Sequence, residues 1–124
     1  MEPRETTLGA ALVPSEDGTT TTLDPAIAAG ALYNECPDAA VAAALQRLSP
    51  QPMVTMTEPA DGDPRATTSS TYVVCARDRA VHPDHQATMA ARCDTRVDID
   101  TDHSPFVSAV NELADVLERS ASGT

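Results

Sequence analysis

An α/β fold, centred on a parallel strand–helix–strand–helix unit, is predicted by three observations. Tyr72 to Cys75 is a continuous apolar, β-rich run, the pattern of a strand covered on both faces. Arg96 to Asp100 alternates, with Val97 and Ile99 on one side and Asp98 and Asp100 on the other. A helical pattern follows each run. The first, Pro83 to Arg92, offers Ala87, Met89, Ala90 and Ala91 as a partly apolar surface. The second closes the chain, to about Arg119, with Phe106, Val110, Leu113 and Leu117 marking one side. That order predicts two neighbouring parallel strands joined by a helical crossover. Two strands alone make a poor sheet and want neighbours.

The elements before this unit are weaker. Residues 1–23 carry Pro3, Gly9, Pro14 and Gly18 and read as an N-terminal loop segment, with a short strand near the threonine run 19–22. A helical region and linker, 24–69, comes next. Its first helix runs from about Pro25 to Tyr33 through Ile27, Ala28 and Leu32. Pro37 sits where a first helical turn accepts proline, and Val41, Ala44, Leu45 and Leu48 then share one face. Ser49-Pro50-Gln51-Pro52 ends that helix, because proline cannot continue the hydrogen-bond ladder. Met53 to Ser70 reads as irregular. The βαβα part occupies 70–120, with Ser104 as N-cap and Pro105 as first residue of its last helix, and 121–124 is a tail.

Composition narrows the function. Eight basic residues, all arginine, oppose nineteen acidic ones, a formal net charge of −11. No basic cluster offers a footprint for a phosphate backbone or an anionic membrane, so neither nucleic acid nor membrane is expected as a partner. Cys36, Cys75 and Cys93 are widely spaced and odd in number, as expected of buried thiols in a reducing cytoplasm. Arginine without lysine resembles the product of a GC-rich bacterial genome. The same absence of lysine rules out a Walker-type phosphate loop, and there is no Gly-x-Gly-x-x-Gly for a dinucleotide. No cofactor is therefore expected.

Parallel sheets place functional groups beyond the carboxyl ends of their strands. Asp78 follows the first strand and His103 the second, so both are expected at one edge within hydrogen-bond reach. A carboxylate that fixes one imidazole nitrogen leaves the other free to act as a general base. Taken alone the pair is a weak signal, and the plainer reading is favoured: Asp78 as a loop acid capping the Pro83 helix, and His103 as a turn residue. A second group, His82, Asp84, His85 and Cys93, lacks the repeated close pairs of a zinc site, and Pro83 separates its histidines. Solvated residues at a helix start explain it, so no metal is expected. The acidic run Asp94 to Asp102 lacks the glycine and terminal glutamate of a calcium loop.

The run from Ser70 through Tyr72-Val73-Val74-Cys75 and Asp78 to Gln86 and Met89 resembles the strand, acid loop and helix of α/β-hydrolases. Within them it is similar to the branch of plant methyl-ester esterases and hydroxynitrile lyases. Asp102-His103-Ser104-Pro105-Phe106 resembles that family's histidine loop, and Leu32 to Pro52 its helical cap. The resemblance spans roughly residues 20 to 119. It implies a partial α/β-hydrolase fold: a helical cap, then two parallel strands with two flanking helices, the N-terminal half of the sheet being absent. It also implies Asp78 as catalytic acid and His103 as catalytic base, with the cap shaping a small apolar pocket to which Met53 and Met56 are candidate contributors.

Departures from the family's pattern carry equal weight. A nucleophile elbow needs glycines around its serine. None of Gly9, Gly18, Gly30, Gly62 and Gly123 flanks a serine that way, and the His-Gly oxyanion loop is missing too. Hydroxynitrile lyases of this branch carry lysine after the histidine, where this chain has Ser104, which favours ester hydrolysis. Ser104 and Ser108 are the substitute nucleophiles to weigh, and Ser104 is better explained as a helix cap. The expected function is thus esterase-like, truncated and inactive alone, acting on a small-molecule ester once a nucleophile-bearing segment complements it. The alternative is a non-enzymatic remnant or interaction module that pairs with a partner chain, or with itself, through the open sheet edge.

Overall fold

The computed structural model describes residues 6–123. Helix α1 (Leu8–Ala11) leads into β1 (Leu12–Pro14), which pairs antiparallel with β2 (Thr20–Leu23) in the register Leu12↔Leu23, Val13↔Thr22, Pro14↔Thr21. Asp17-Gly18 makes the turn. Gly18 has φ +72°, and the Asp17 carboxylate accepts from the hydroxyls of Ser15 (2.7 Å) and Thr19 (2.8 Å) and from the Thr19 N–H (3.1 Å). Those bonds, the Ser15 hydroxyl first, hold the Asp17 carboxyl below its usual range. The loop expected over 1–23 is therefore corrected from residue 8 onward to a helical turn and a hairpin, with a strand on the threonines as anticipated. Residues 1–5 lie outside the described residues. Strand β3 (Gln51–Pro52) joins the far side of β2, and Pro52, lacking an N–H, is tolerable there because that side is an edge.

Helix α2 (Pro25–Leu32) begins with Asp24, whose carboxylate accepts the Ala26 N–H at 2.9 Å, and with Pro25 in its first turn. Ala28 and Ala31 are fully buried, as is Ala11 of the adjoining α1. Methyl-sized side chains let the two short helices approach closely. Helix α3 (Asp38–Leu45) starts one residue later than Pro37 suggests: that proline takes the extended N-cap position (φ −61°, ψ 146°) rather than the first helical one. No α3 residue is fully buried, though Val41, Ala44 and Leu45 are half covered on one side. The stretch 53–70 is less irregular than its composition suggests, holding α4 (Val54–Thr57) and a 3-10 turn at Pro64–Ala66.

The parallel unit forms as read. Strands β4 (Thr71–Cys75) and β5 (Thr95–Ile99) pair in parallel, Thr71↔Thr95 through Cys75↔Ile99, with α5 (Pro83–Ala90) between them in sequence and packed on β4. Val97 and Ile99 alternate with exposed Asp98 and Asp100, and Asp98 is forked to Arg96 at 2.6 and 2.9 Å on the open face.

The closing helix differs from expectation. It is two pieces, α6 (Pro105–Ser108) and α7 (Val110–Ala121), because Ala109 leaves the helical region at φ −145°, ψ 53°. The side facing the sheet is Ala109 and Val116, packed with Ile99, Val73 and Val97. Of the expected apolar side, Leu113 is half-buried, whereas Phe106, Val110 and Leu117 are 63%, 55% and 59% exposed. Val110 and Leu117 share one row of the unbroken α7, and that helix turns the adjoining row, marked by Val116, toward the sheet instead. No helix among the described residues is long and apolar enough to cross a membrane.

Candidate active site

Pairing continues past the ends of the strands. The Ala76 and Arg77 N–H groups donate to the carbonyls of Ile99 and Thr101, each at 2.9 Å. Asp78 therefore leaves the sheet at the same carboxyl edge as Asp102 and His103. The two side chains singled out in the sequence meet there: His103 Nδ1 lies 2.8 Å from Asp78 Oδ2.

Asp78 is 5% exposed, and every neighbour that binds it is a donor. Its Oδ1 accepts the N–H groups of Ala80 (2.7 Å) and Val81 (2.9 Å), and its Oδ2 accepts the Gln86 amide at 3.2 Å as well as the imidazole. A carboxyl surrounded by donors serves as an acceptor, which puts the histidine proton on Nδ1 and leaves Nε2 with its lone pair. Asp78 does not cap α5. His82 does, its Nδ1 accepting the Asp84 N–H at 3.1 Å.

Gln86, 2% exposed, holds the acid loop shut. Its Oε1 accepts the Cys75 N–H (2.8 Å), while its amide nitrogen reaches the carbonyls of Cys75 (3.1 Å) and Val81 (2.9 Å) and the Asp78 carboxylate. One side chain on α5 thus ties the end of β4 to the far side of the loop carrying Asp78. Sequence reading placed Gln86 on the helix without that role.

Asp102 is the second group that sequence reading missed. It is 0% exposed and accepts four hydrogen bonds: Ser104 N–H (2.9 Å) and Ser108 Oγ (2.7 Å) on Oδ1, and Glu35 N–H (2.8 Å) and Cys36 Sγ (3.3 Å) on Oδ2. Burial alone pushes its carboxyl up, but the four donors outweigh that and leave it below the usual range. The thiol of Cys36 is pushed up to about 11 by burial and by its bond to that carboxylate. An acid followed two residues later by serine is a local turn signal and was available to be read.

Ser104 occupies the N-cap position of α6 but makes no side-chain cap bond; its hydroxyl donates to the Leu32 carbonyl at 2.8 Å. The expected cap role is corrected to a tether between the histidine loop and the end of α2. Of the candidate pocket residues, Met53 precedes α4 and is half-buried, and Met56 within it is 49% exposed.

His103 is half-buried, and the Asp78 hydrogen bond raises its pKa above the ordinary 6.5. The sign follows from linkage: a raised folded pKa adds stability that is full below the unfolded value near ~6.5 and disappears as pH rises through the folded value. In an NMR titration the His103 ring is expected to titrate above the reference, and Asp78→Asn to bring it down. A His103 midpoint indifferent to Asp78→Asn would contradict the pairing.

Comparisons with known proteins bear on the fold. The sequence profile of the "alpha/beta hydrolase family" matches residues 3–116. The fold is similar to a methylesterase from Arabidopsis (TM-score 0.73, 21% identity, covering 86% of this chain and 48% of that one). It is similar also to polyneuridine aldehyde esterase (TM-score 0.71, 15% identity, covering 89% of this chain and 47% of that one). The chain thus spans just under half the length of these structures. No curated protein matches the sequence.

Proposed function

This chain belongs to the alpha/beta hydrolase family, and on that premise we propose that it carries the acid–base half of a carboxylic-ester hydrolase. The observation that carries the reading is the 2.8 Å contact between His103 Nδ1 and Asp78 Oδ2 at the carboxyl edge of a parallel sheet.

His103 Nε2 takes the proton of a serine hydroxyl as its oxygen bonds to the ester carbonyl carbon. The same nitrogen returns that proton to the departing alcohol when the tetrahedral intermediate collapses. Water, deprotonated by Nε2 in turn, then releases the acid. Asp78 holds the tautomer and stabilises the imidazolium between these steps. The serine and the oxyanion donors come from a segment outside these 124 residues, since no glycine-flanked serine occurs within them. The hydroxyls of Ser104 and Ser108 are engaged with the Leu32 carbonyl and Asp102, which argues against either as a substitute. The helices α2 and α3 form the cap of this enzyme, and no metal or cofactor enters the chemistry. Three free cysteines favour a reducing, cytoplasmic setting, and arginine without lysine favours a bacterial source.

The purified chain is expected to show no turnover of a chromogenic short-chain ester. Joined to the nucleophile-bearing N-terminal half of a related hydrolase, it is expected to gain turnover. A folded chimera with no activity would overturn the proposal, and turnover by the chain alone would overturn its dependence on a second segment.

A second reading, a non-enzymatic module that pairs through its sheet edge, draws on exposed Phe106, Val110 and Leu117 and on a β4 that, among the described residues, pairs with β5 on one side only. Under that reading the chain binds a partner or itself while the ester assay stays silent in every combination.

A further inference from the structure

We infer that Asp102 is a positioning residue for His103, a buried carboxylate that locks the histidine loop to the segment leaving α2. The inference rests on His103 being the base, and extends that reading to the group that fixes where the base stands.

His103 is bracketed by two residues that solvent does not reach, Asp102 at 0% and Ser104 at 2% exposure, while its own ring is half open. Asp102 Oδ1 accepts the Ser104 N–H, so its side chain bridges over His103 and closes the backbone around it into a turn. Asp102 Oδ2 accepts the Glu35 N–H, which lies 67 residues away in sequence. Ser104 adds a tether to Leu32 across 72 residues. The short segment that carries the base is thereby held to the end of α2 at two points, independently of the Asp78 contact.

The carboxylate form is required at this site. No arginine or histidine pairs with Asp102 among the described residues, so its charge is held by four donors alone. Two of these, the hydroxyl of Ser108 and the thiol of Cys36, rotate to suit whatever they face. The N–H groups of Ser104 and Glu35 do not. They approach opposite carboxylate oxygens, so an asparagine amide satisfies one and presents its own N–H₂ to the other. Asp102→Asn therefore breaks one end of the lock whichever way the amide turns: either the turn around His103 or the tie to Glu35. Cys36→Ser keeps a donor in place and is expected to preserve the lock.

The test is read from the proton on His103 Nδ1 in the ¹⁵N-histidine-labelled 124-residue chain, assigned by its disappearance in Asp78→Asn. In the native chain that proton is expected as a slowly exchanging, downfield resonance. In Asp102→Asn it is expected to broaden or vanish while the β4–β5 amides keep their shifts, and in Cys36→Ser to persist. A merely structural role lowers the unfolding midpoint and leaves the resonance intact in whatever fraction is folded; that result in Asp102→Asn would overturn the assignment. Should Asp102→Asn fail to fold, Ser108→Ala keeps the carboxylate and removes one donor. It is expected to raise the exchange rate of the same proton several-fold, and an unchanged rate would overturn the assignment. Absence of the resonance in the native chain would instead overturn the Asp78–His103 pairing, and the proposed function with it.

Discussion

Asp78→Asn is expected to cut kcat of the reconstituted esterase by roughly four orders of magnitude with little change in KM, the size of effect seen when a triad histidine is left in the wrong tautomer. The geometry says why an isosteric change is so costly. Oδ1 of Asp78 receives two backbone N–H groups, from Ala80 and Val81, and neither can turn away. The asparagine oxygen must take that position, which points its N–H₂ at His103 Nδ1. That nitrogen then becomes the acceptor, the ring proton moves to Nε2, and the atom that should remove the serine proton already carries one. His103→Ala, which deletes the base outright, is expected to lose at least as much. Steady-state rates with a short-chain ester check both variants; Asp78→Asn retaining a tenth of native kcat would remove Asp78 from the mechanism.

Gln86→Leu is expected to cost a large part of the chain's stability while sparing the base and its acid. It matches the side chain roughly in size, leaves the Cys75 N–H and the Val81 carbonyl without the partner Gln86 supplied, and removes one bond each from Asp78 and from the Cys75 carbonyl, which keeps the Asp78 N–H, around a position 2% exposed. Each buried polar group left without a partner costs ~1–3 kcal/mol, and partial access of water to the loop reduces the sum, so a total of about 3–5 kcal/mol is expected. Against a domain stability of roughly 5–15 kcal/mol that is enough to unfold a large fraction of the chain. Gln86→Glu keeps the acceptor for Cys75 but turns a negative charge toward Asp78 and two carbonyls, so it is expected to destabilise as well. Urea midpoints decide the matter. A loss under ~1 kcal/mol for Gln86→Leu would mean that the loop holds itself, since that is the cost of a single ordinary hydrogen bond.

Legibility in the sequence followed the range of the physics. The run Tyr72–Cys75 and the alternation around Val97 and Ile99 are local consequences of side-chain direction on a strand, and both strands appear within a residue of where the pattern puts them. The hairpin at Asp17-Gly18 was equally local, an Asp-Gly turn signal hidden within a segment otherwise reading as loop. The break at Ala109 was not legible, since nothing in that residue's own preference demands φ −145°; nor was the exposure of Phe106, Val110 and Leu117, because which row of a helix is covered depends on what packs against it.

The sequence by itself determined a parallel strand–helix–strand unit, the placing of an aspartate after one strand and a histidine after the next, and the lack of any glycine-flanked serine to join them. Only the tertiary structure decided that Asp78 and His103 touch, that Gln86 closes the acid loop, and that Asp102 receives donors from residues 2, 6, 66 and 67 positions away. Strand and helix patterns repeat over a few residues and are written into neighbouring side chains. A buried carboxylate is satisfied by whichever donors the whole chain brings within hydrogen-bond reach, and that set exists only once the chain has folded.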